Sequence, residues 1–550
     1  MVARIPLIVN SSAEQIQELP SGDSISIPGD LDVTGTVTGS AIHSVKLPAD
    51  GTIAANAPVV LTSAGKVKAV GEGDPEAFGS ASTFFTHSGS EQVNRVRSLI
   101  WDSSQNAVLV AWGNNDKKEK VSSGTLSGTT ITWSGTHTQL NSSTDSSDSI
   151  PPAIATNNLG GGLAVYVPSS TSTGTTRGLF YKTFTLSGST ITWGTQTVIS
   201  AYALNTNQPD RPHCAYIGEE GGSHYFAVSY RYGDFGANGQ RGKIRVLKWD
   251  GQDSVTIGAE SDVEGSNATT NGPRLNIIPR IVPIDHGRFL YYDSTPSGTG
   301  NRGWIIASRT GTTITDKSAP QTAINGGPDS YDSTYDSRHL VYDPISKYLY
   351  GNNGGQLQAL TIDYGAITHR FSVDITSGVI GQIGITDKGQ ILSSYMDGNF
   401  ANGKHDIGTL NGERNRITWA APTTWSTNAS NASDNIGSHL QPRIVKADDG
   451  KFIYAYLSGS VDNEDGKAIV FQAKNTTLTP DNFLGFSAAG YSDGNTATIS
   501  VLGSQSTQSG LTVGKKYYVQ DDGTIGIGKS SFGVLAGKAL SATKLLITPV

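Results

Sequence analysis

TLSGTTITW at residues 125–133 returns as TLSGSTITW at residues 185–193, sixty residues further on. Self-similarity at a fixed period marks repeated supersecondary units, each too small to bury its apolar face alone. Weaker copies follow, RTGTTITD at 309–316 and TLNGERNRITWA at 409–420. In each copy a Ser-Gly, Thr-Gly or Asn-Gly pair lies at or just before a turn, and an alternating run of the Thr-Ile-Thr-Trp kind usually follows. Two residues of that type between β-branched and aromatic runs are the signature of a hairpin.

Working outward, residues from about 86 to 480 divide into seven units averaging near 55 residues, each written as four strands. The first strand carries Pro or Arg before an apolar run, as in RVRSLIWD (95–102), RPHCAYIG (211–218), IPRIVPID (278–285), SRHLVYD (337–343) and QPRIVKAD (441–448). The second is the most apolar, as in AVLVAWG, HYFAVSY and KFIYAYL. Four antiparallel strands repeated around an axis predict an all-β fold with a β-propeller. Seven blades fit best, with six or eight left open because the unit at roughly 326–378 is degenerate. The last unit, about 431–477, lacks a fourth strand, and AFGSASTFFTH (77–87) is a lone strand ahead of the first unit. The second is expected to complete the first, because an open ring would leave exposed sheet edges.

Composition agrees and excludes several functions. Gly is 66 of 550 residues and charged residues are 16%. A chain this long exceeds one ordinary core, so several folding units are expected. The net charge of −7 offers no basic footprint for nucleic acid and no polybasic patch for an anionic membrane. One cysteine, Cys214, makes no intrachain disulfide. The apolar run in MVARIPLIVNSSAEQ is too short for a signal peptide or a membrane span, so the chain is expected to be made in a cytoplasm and not exported by that route.

Residues 46–76 and 483–550 are short alternating strands split by Gly-Asp, Asp-Gly and Ala-Gly turns. Together they approach the usual size of a domain. They are expected to form one small split β-domain with the propeller, 77–482, inserted between its halves. Residues 1–45 cannot bury a core alone and are expected to be ordered by other chains.

GLTVGKKYYVQDDGTI (510–525) with GVLAGKALSATKLLI (533–547) resembles the C-terminal module of tailed-bacteriophage fibre proteins. IPLIVNSSAEQIQELPSGDSISIPGDLDVTGTVTGS (5–40) is similar to the N-terminal segment of phage tail-fibre proteins, especially those of phages of cyanobacteria. The resemblance implies a virion appendage, non-enzymatic, made in the host cytoplasm and placed on the virion. It implies trimeric stacking of the N-terminus, partners among tail or adaptor proteins, and contact with a host-surface glycan or protein. A structural virion component and a glycan-degrading propeller enzyme are the alternatives.

GTIGIGKS (523–530) matches the P-loop pattern, but the Gly-broken, strand-like SFGVLAGKALSA follows where a helix should start, so a hairpin is expected. The Thr-Trp endings share the hairpin of sialidase Asp-boxes without the Asp. Arg97, Arg211, Arg280, Arg338 and Arg443 recur near first strands, which favours contacts between blades over a carboxylate-binding cluster. Trp133, Trp193 and Trp419 are expected in packing between blades. No metal or cofactor is expected: the histidines show no ligand spacing, and DSYDSTYD (329–336) and DNEDG (462–466) lack the full spacing of a calcium loop.

Loop lengths then choose a face. Turns after the first and third strands are short. Those after the second are long: 113–124, 168–178, 231–242, 294–303, 396–406 and 458–466. Loops on a rigid scaffold carry binding. Tyr232, Phe235 and Phe400 are the aromatics expected to stack on a sugar ring, against the alternative that Phe235 and Phe400 only staple their own loops.

Overall fold

The computed structural model describes residues 6–10 and 15–18 and, with interruptions in turns and loops, 44–548. The wider undescribed stretches are 19–43, 141–151, 168–175, 204–209, 233–240, 263–278, 294–303, 318–339, 375–381, 397–401, 411–416, 427–442 and 459–464.

Seven antiparallel sheets follow one another along the chain. In blade 1 the order is Thr130–Gln139, Glu119–Ser127, Ala107–Asn114, Val93–Asp102, so each strand pairs with its neighbour in sequence. The first strands of blades 2 to 7 are Ala153–Thr156, Asp210–Glu220, Pro279–Asp285, Leu340–Asp343, Gln382–Ile385 and Arg443–Lys446. Each touches the next in turn, and that of blade 7 touches that of blade 1, which closes a seven-bladed propeller. The degenerate unit is a four-stranded blade 5, from Leu340 to Asp374.

Blade 7 supplies three strands of its own, and its third, Asp465–Gln472, pairs with Ala77–Phe78 and Ser82–Phe85. The closing segment is seated by aromatics. Phe85 lies 4.5 Å from the ring of Trp112, and Phe84 lies 5.5 Å from Trp133. Gly466 makes room, since a Cβ there would come within 2.2 Å of the Phe84 ring. The fourth position is also made of two pieces in blades 2, 3 and 6. In blade 2, Thr190–Trp193 is followed by Thr197–Ala203, both pairing with Thr176–Ser187.

Cores lie between blades, because each sheet buries both faces. Trp133 joins the seam of blades 7 and 1, Trp193 that of blades 1 and 2, and Trp419 that of blades 5 and 6. The Trp133 Nε1–H donates to Ser82 Oγ at 2.9 Å. Trp249 of blade 3 presses on Gly161 of blade 2, where a Cβ would come within 2.1 Å of the indole.

Polar contacts lace the first strands together. Ser98 Oγ accepts from Ile154 N–H at 3.4 Å, His213 Nδ1 from Ile281 N–H at 3.3 Å, and Gln382 Oε1 from Ile444 N–H at 3.1 Å. Across the closing seam, Arg443 Nε donates to the Val96 carbonyl at 3.0 Å. The cross-strand partners of these four are all small: Ala111, Ser229, Ser394 and Ala455. A large partner would occupy the space that the lacing side chain needs. Arg443 is therefore a structural contact between blades, and Arg443→Ala is expected to lower stability by about 1–3 kcal/mol, the cost of a stranded buried carbonyl. A urea midpoint within error of the parent protein would contradict that role.

The flanks meet in two further sheets. Ser44–Pro48 pairs with Thr496–Ser500, and Pro58–Leu61 pairs with Phe483–Ser487, giving one five-stranded sheet from both ends of the chain. A second five-stranded sheet uses residues from Gln505 to Leu546, and Val60, Val70 and Phe486 of the first region share a core with Leu511, Val519 and Leu545 of the second. Pro6–Asn10 and Gln15–Glu18 pair as an N-terminal hairpin.

Candidate functional site

Ala77 pairs with Gln472, so the propeller begins and ends side by side at the exit of a third strand. The turns 127–130 and 187–190 follow third strands too, so chain ends and short turns share one face. The connections after second strands lie on the opposite face.

Most of that face lies outside the described residues, including Phe235 and Phe400. Tyr232 ends the strand Ser223–Tyr232, in register with Arg241. The expected loop 113–124 is corrected: Glu119–Ser127 is a strand, largely buried despite its polar letters. Its serines are used inside the blade stack. Trp112 Nε1–H donates to Ser122 Oγ at 2.9 Å, and Ser123 Oγ donates to the Ser189 carbonyl of blade 2 at 2.5 Å.

Two residues below Tyr232 is a polar group that the sequence reading missed. The Tyr230 hydroxyl donates to Glu260, which also accepts from Lys243 Nζ at 3.0 Å and Arg245 Nη2 at 3.3 Å. Arg245 Nη1 is held by the Gly258 carbonyl at 3.0 Å. The pattern that could have revealed it is Lys243-Ile-Arg245, two cations one pleat apart on one side of a strand. Glu260 answers them from just before the short strand Ser261–Asp262. This network ties Tyr230, part of the blade 2–3 core, to Glu260, Lys243 and Arg245 near the loop face.

At His405 and Asp406 a Ser-His-Asp arrangement is ruled out. His405 and Asp406 are adjacent on Gly403–Leu410 and therefore point to opposite sides of blade 6. Their cross-strand partners divide likewise, Ser394 with His405 and Ser393 with Asp406. The P-loop letters form turns and a short strand, with no helix start among the described residues. Gln520 Nε2 donates to the Gly528 carbonyl at 2.9 Å, and Lys529 lies 6.0 Å from the Tyr518 ring. Among the described residues no group of three or more His, Cys, Asp or Glu side chains could hold a metal ion. No helix of the described residues is long and apolar enough to cross a membrane.

No family model and no curated protein matches the chain. Solved structures do. The α-L-arabinanase of Penicillium chrysogenum, solved with arabinobiose, is 13% identical over 63% of this chain and 98% of its own, with a TM-score of 0.36. An α-L-arabinofuranosidase of Fusarium graminearum is 10% identical over 63% and 98%, with a TM-score of 0.36. The periplasmic gluconolactonase of Pseudomonas aeruginosa is 10% identical over 74% and 99%, with a TM-score of 0.35. With enzymes standing among the matches, the expectation of a non-enzymatic chain is withdrawn. Likeness at this level assigns no activity to this chain.

Proposed function

We propose that the propeller presents its long-loop face to a host-surface glycan or protein, as the outward part of a bacteriophage virion appendage. The observation that carries this reading is the pairing of Ala77 with Gln472, which puts both connections to the flanking sheets on the short-turn face. The loops after second strands then point away from whatever holds the flanks. The resemblance of residues 5–40 and 510–547 to phage fibre segments supplies the anchor: attachment through the N-terminus to tail or adaptor proteins, as a trimer, on the virion.

Repeated weak contacts suit such a face, because several copies on one particle convert modest affinity into firm adhesion. A few aromatic anchors would dominate each contact. The triple substitution Tyr232→Ala, Phe235→Ala, Phe400→Ala is expected to cut adsorption of purified protein to host cells at least about tenfold, for a loss above 1.4 kcal/mol. Its thermal melt should stay close to the parent's. Unchanged adsorption would remove these residues from the contact and favour a structural virion role. Release of reducing sugar from host polysaccharide would make turnover the function of this face.

A further inference from the structure

The closing segment is short, and one histidine lies directly beneath it. Ala77–Phe78 contributes only two paired residues to blade 7 before the chain breaks to Ser82–Phe85. The Phe78 ring is stacked on the imidazole of His405 from blade 6, with centroids 5.2 Å apart and planes 25° apart. Phe471, the strand partner of Phe78, stands edge-on to the same imidazole at 4.5 Å. His405 is fully buried. Its Nδ1 shares a hydrogen bond of 2.9 Å with the Tyr454 hydroxyl, and its Nε2 has no partner among the described residues.

The surroundings suit a neutral ring and not a charged one. Ser394 is its cross-strand neighbour, and Trp425, Tyr454 and Phe471 belong to the same seam. Tyr454 is itself held protonated by burial and, secondarily, by Glu76. Asp406 points to the other side of the sheet, as does Lys404. Glu76, exposed at the rim just before Ala77, has its carboxyl raised by partial desolvation, which weakens it as a counter-charge as the pH falls. An imidazolium here would put a second N–H and a full charge into an aromatic seam with no carboxylate facing it.

We propose that His405 is an acid-sensitive latch, seating the closing segment 77–85 while neutral and releasing it when the ring takes a proton. Burial pushes its pKa down to about 4, whereas an exposed histidine titrates near 6.5. The sign follows from linkage. Between those values the open form binds the proton and the closed form does not, so opening gains about tenfold per pH unit as the pH falls. The gain stops below about 4, where both forms are protonated, for a total of about 300-fold.

Hydrogen exchange of the full chain at pH 7, 5.5 and 4, corrected for intrinsic rates, tests this. Residues 77–85 should open about 100-fold more at pH 4 than at pH 7, because at pH 4 the closed form is itself half protonated, while the buried strand Gly161–Tyr166 of blade 2 should not respond. His405→Gln, which keeps a polar group against Tyr454 but takes no proton, should abolish the acid response. Phe78→Ala should open residues 77–85 already at pH 7 and leave little to gain on acidification. An equal acid response in His405→Gln, an equal rise in blade 2, or a Phe78→Ala profile matching the parent would each overturn the latch.

Discussion

Phe84→Ala with Phe85→Ala is expected to abolish cooperative folding of the propeller at ordinary temperatures. Both side chains are at most 5% exposed, and both belong to the core where blade 7 meets blade 1. Truncation of one buried phenylalanine costs about 3–5 kcal/mol. The two share Trp112, at 6.4 Å and 4.5 Å, so their losses should overlap and sum to less than twice that. Even so, the combined cost approaches the 5–15 kcal/mol that holds a typical domain together. Each single variant should lower the urea midpoint, and the double variant should expose the edge of Asp465–Gln472 and aggregate. Leu502→Ala, at a side chain 53% exposed, is the control and should move stability by less than about 0.5 kcal/mol. A double variant that melts like the parent would mean that the closing segment does not hold the ring.

The closing strand was legible in the sequence because a propeller has a conserved arithmetic: six complete units and one of three strands leave one strand to find, and FF at 84–85 is the apolar run available. The hairpins were legible for a local reason, since a Gly at positive φ, such as Gly128 or Gly188, fixes the turn and alternation fixes the faces. The lacing was not. Ser98, His213, Gln382 and Arg443 share a position and a task but no residue type, and their common mark is the small residue across the strand. The part of the strand Glu119–Ser127 from 119 to 124 reads as loop in the sequence only when polarity is taken for exposure. Ser122 and Ser123 are buried because Trp112 and blade 2 satisfy them. At the candidate site, length alone marked the loop face. The Tyr230–Glu260–Arg245–Lys243 group was hidden because its carboxylate is separated from its cations by a turn.

Asp102→Ala should be the most damaging single polar substitution in the ring. Asp102 is fully buried at the end of the first strand of blade 1, and each of its carboxylate oxygens accepts two hydrogen bonds. Oδ1 takes the Ser104 hydroxyl at 2.8 Å and the Gln105 N–H at 3.2 Å, which folds the turn inside blade 1. Oδ2 takes the Thr156 hydroxyl and, at 3.0 Å, the Gly160 N–H, both of blade 2. Alanine would strand two backbone donors at about 1–3 kcal/mol each, roughly 2–6 kcal/mol together. The hydroxyls are less costly to lose, because Thr156 already reaches the Gly161 carbonyl at 3.1 Å and hydroxyls rotate. Asp102→Asn separates the two halves of the role. Its single oxygen can satisfy only one pair of donors, and its amide then meets the backbone N–H of the other pair donor to donor, while the hydroxyl there can turn to accept, so about half of the alanine loss should remain. Hydrogen exchange at Gln105 and Gly160 reads which pair is kept. Protection retained at Gln105 and lost at Gly160 would place the stronger demand within the blade, and the reverse would place it between blades. Full protection at both amides in Asp102→Ala would refute the role given to this carboxylate.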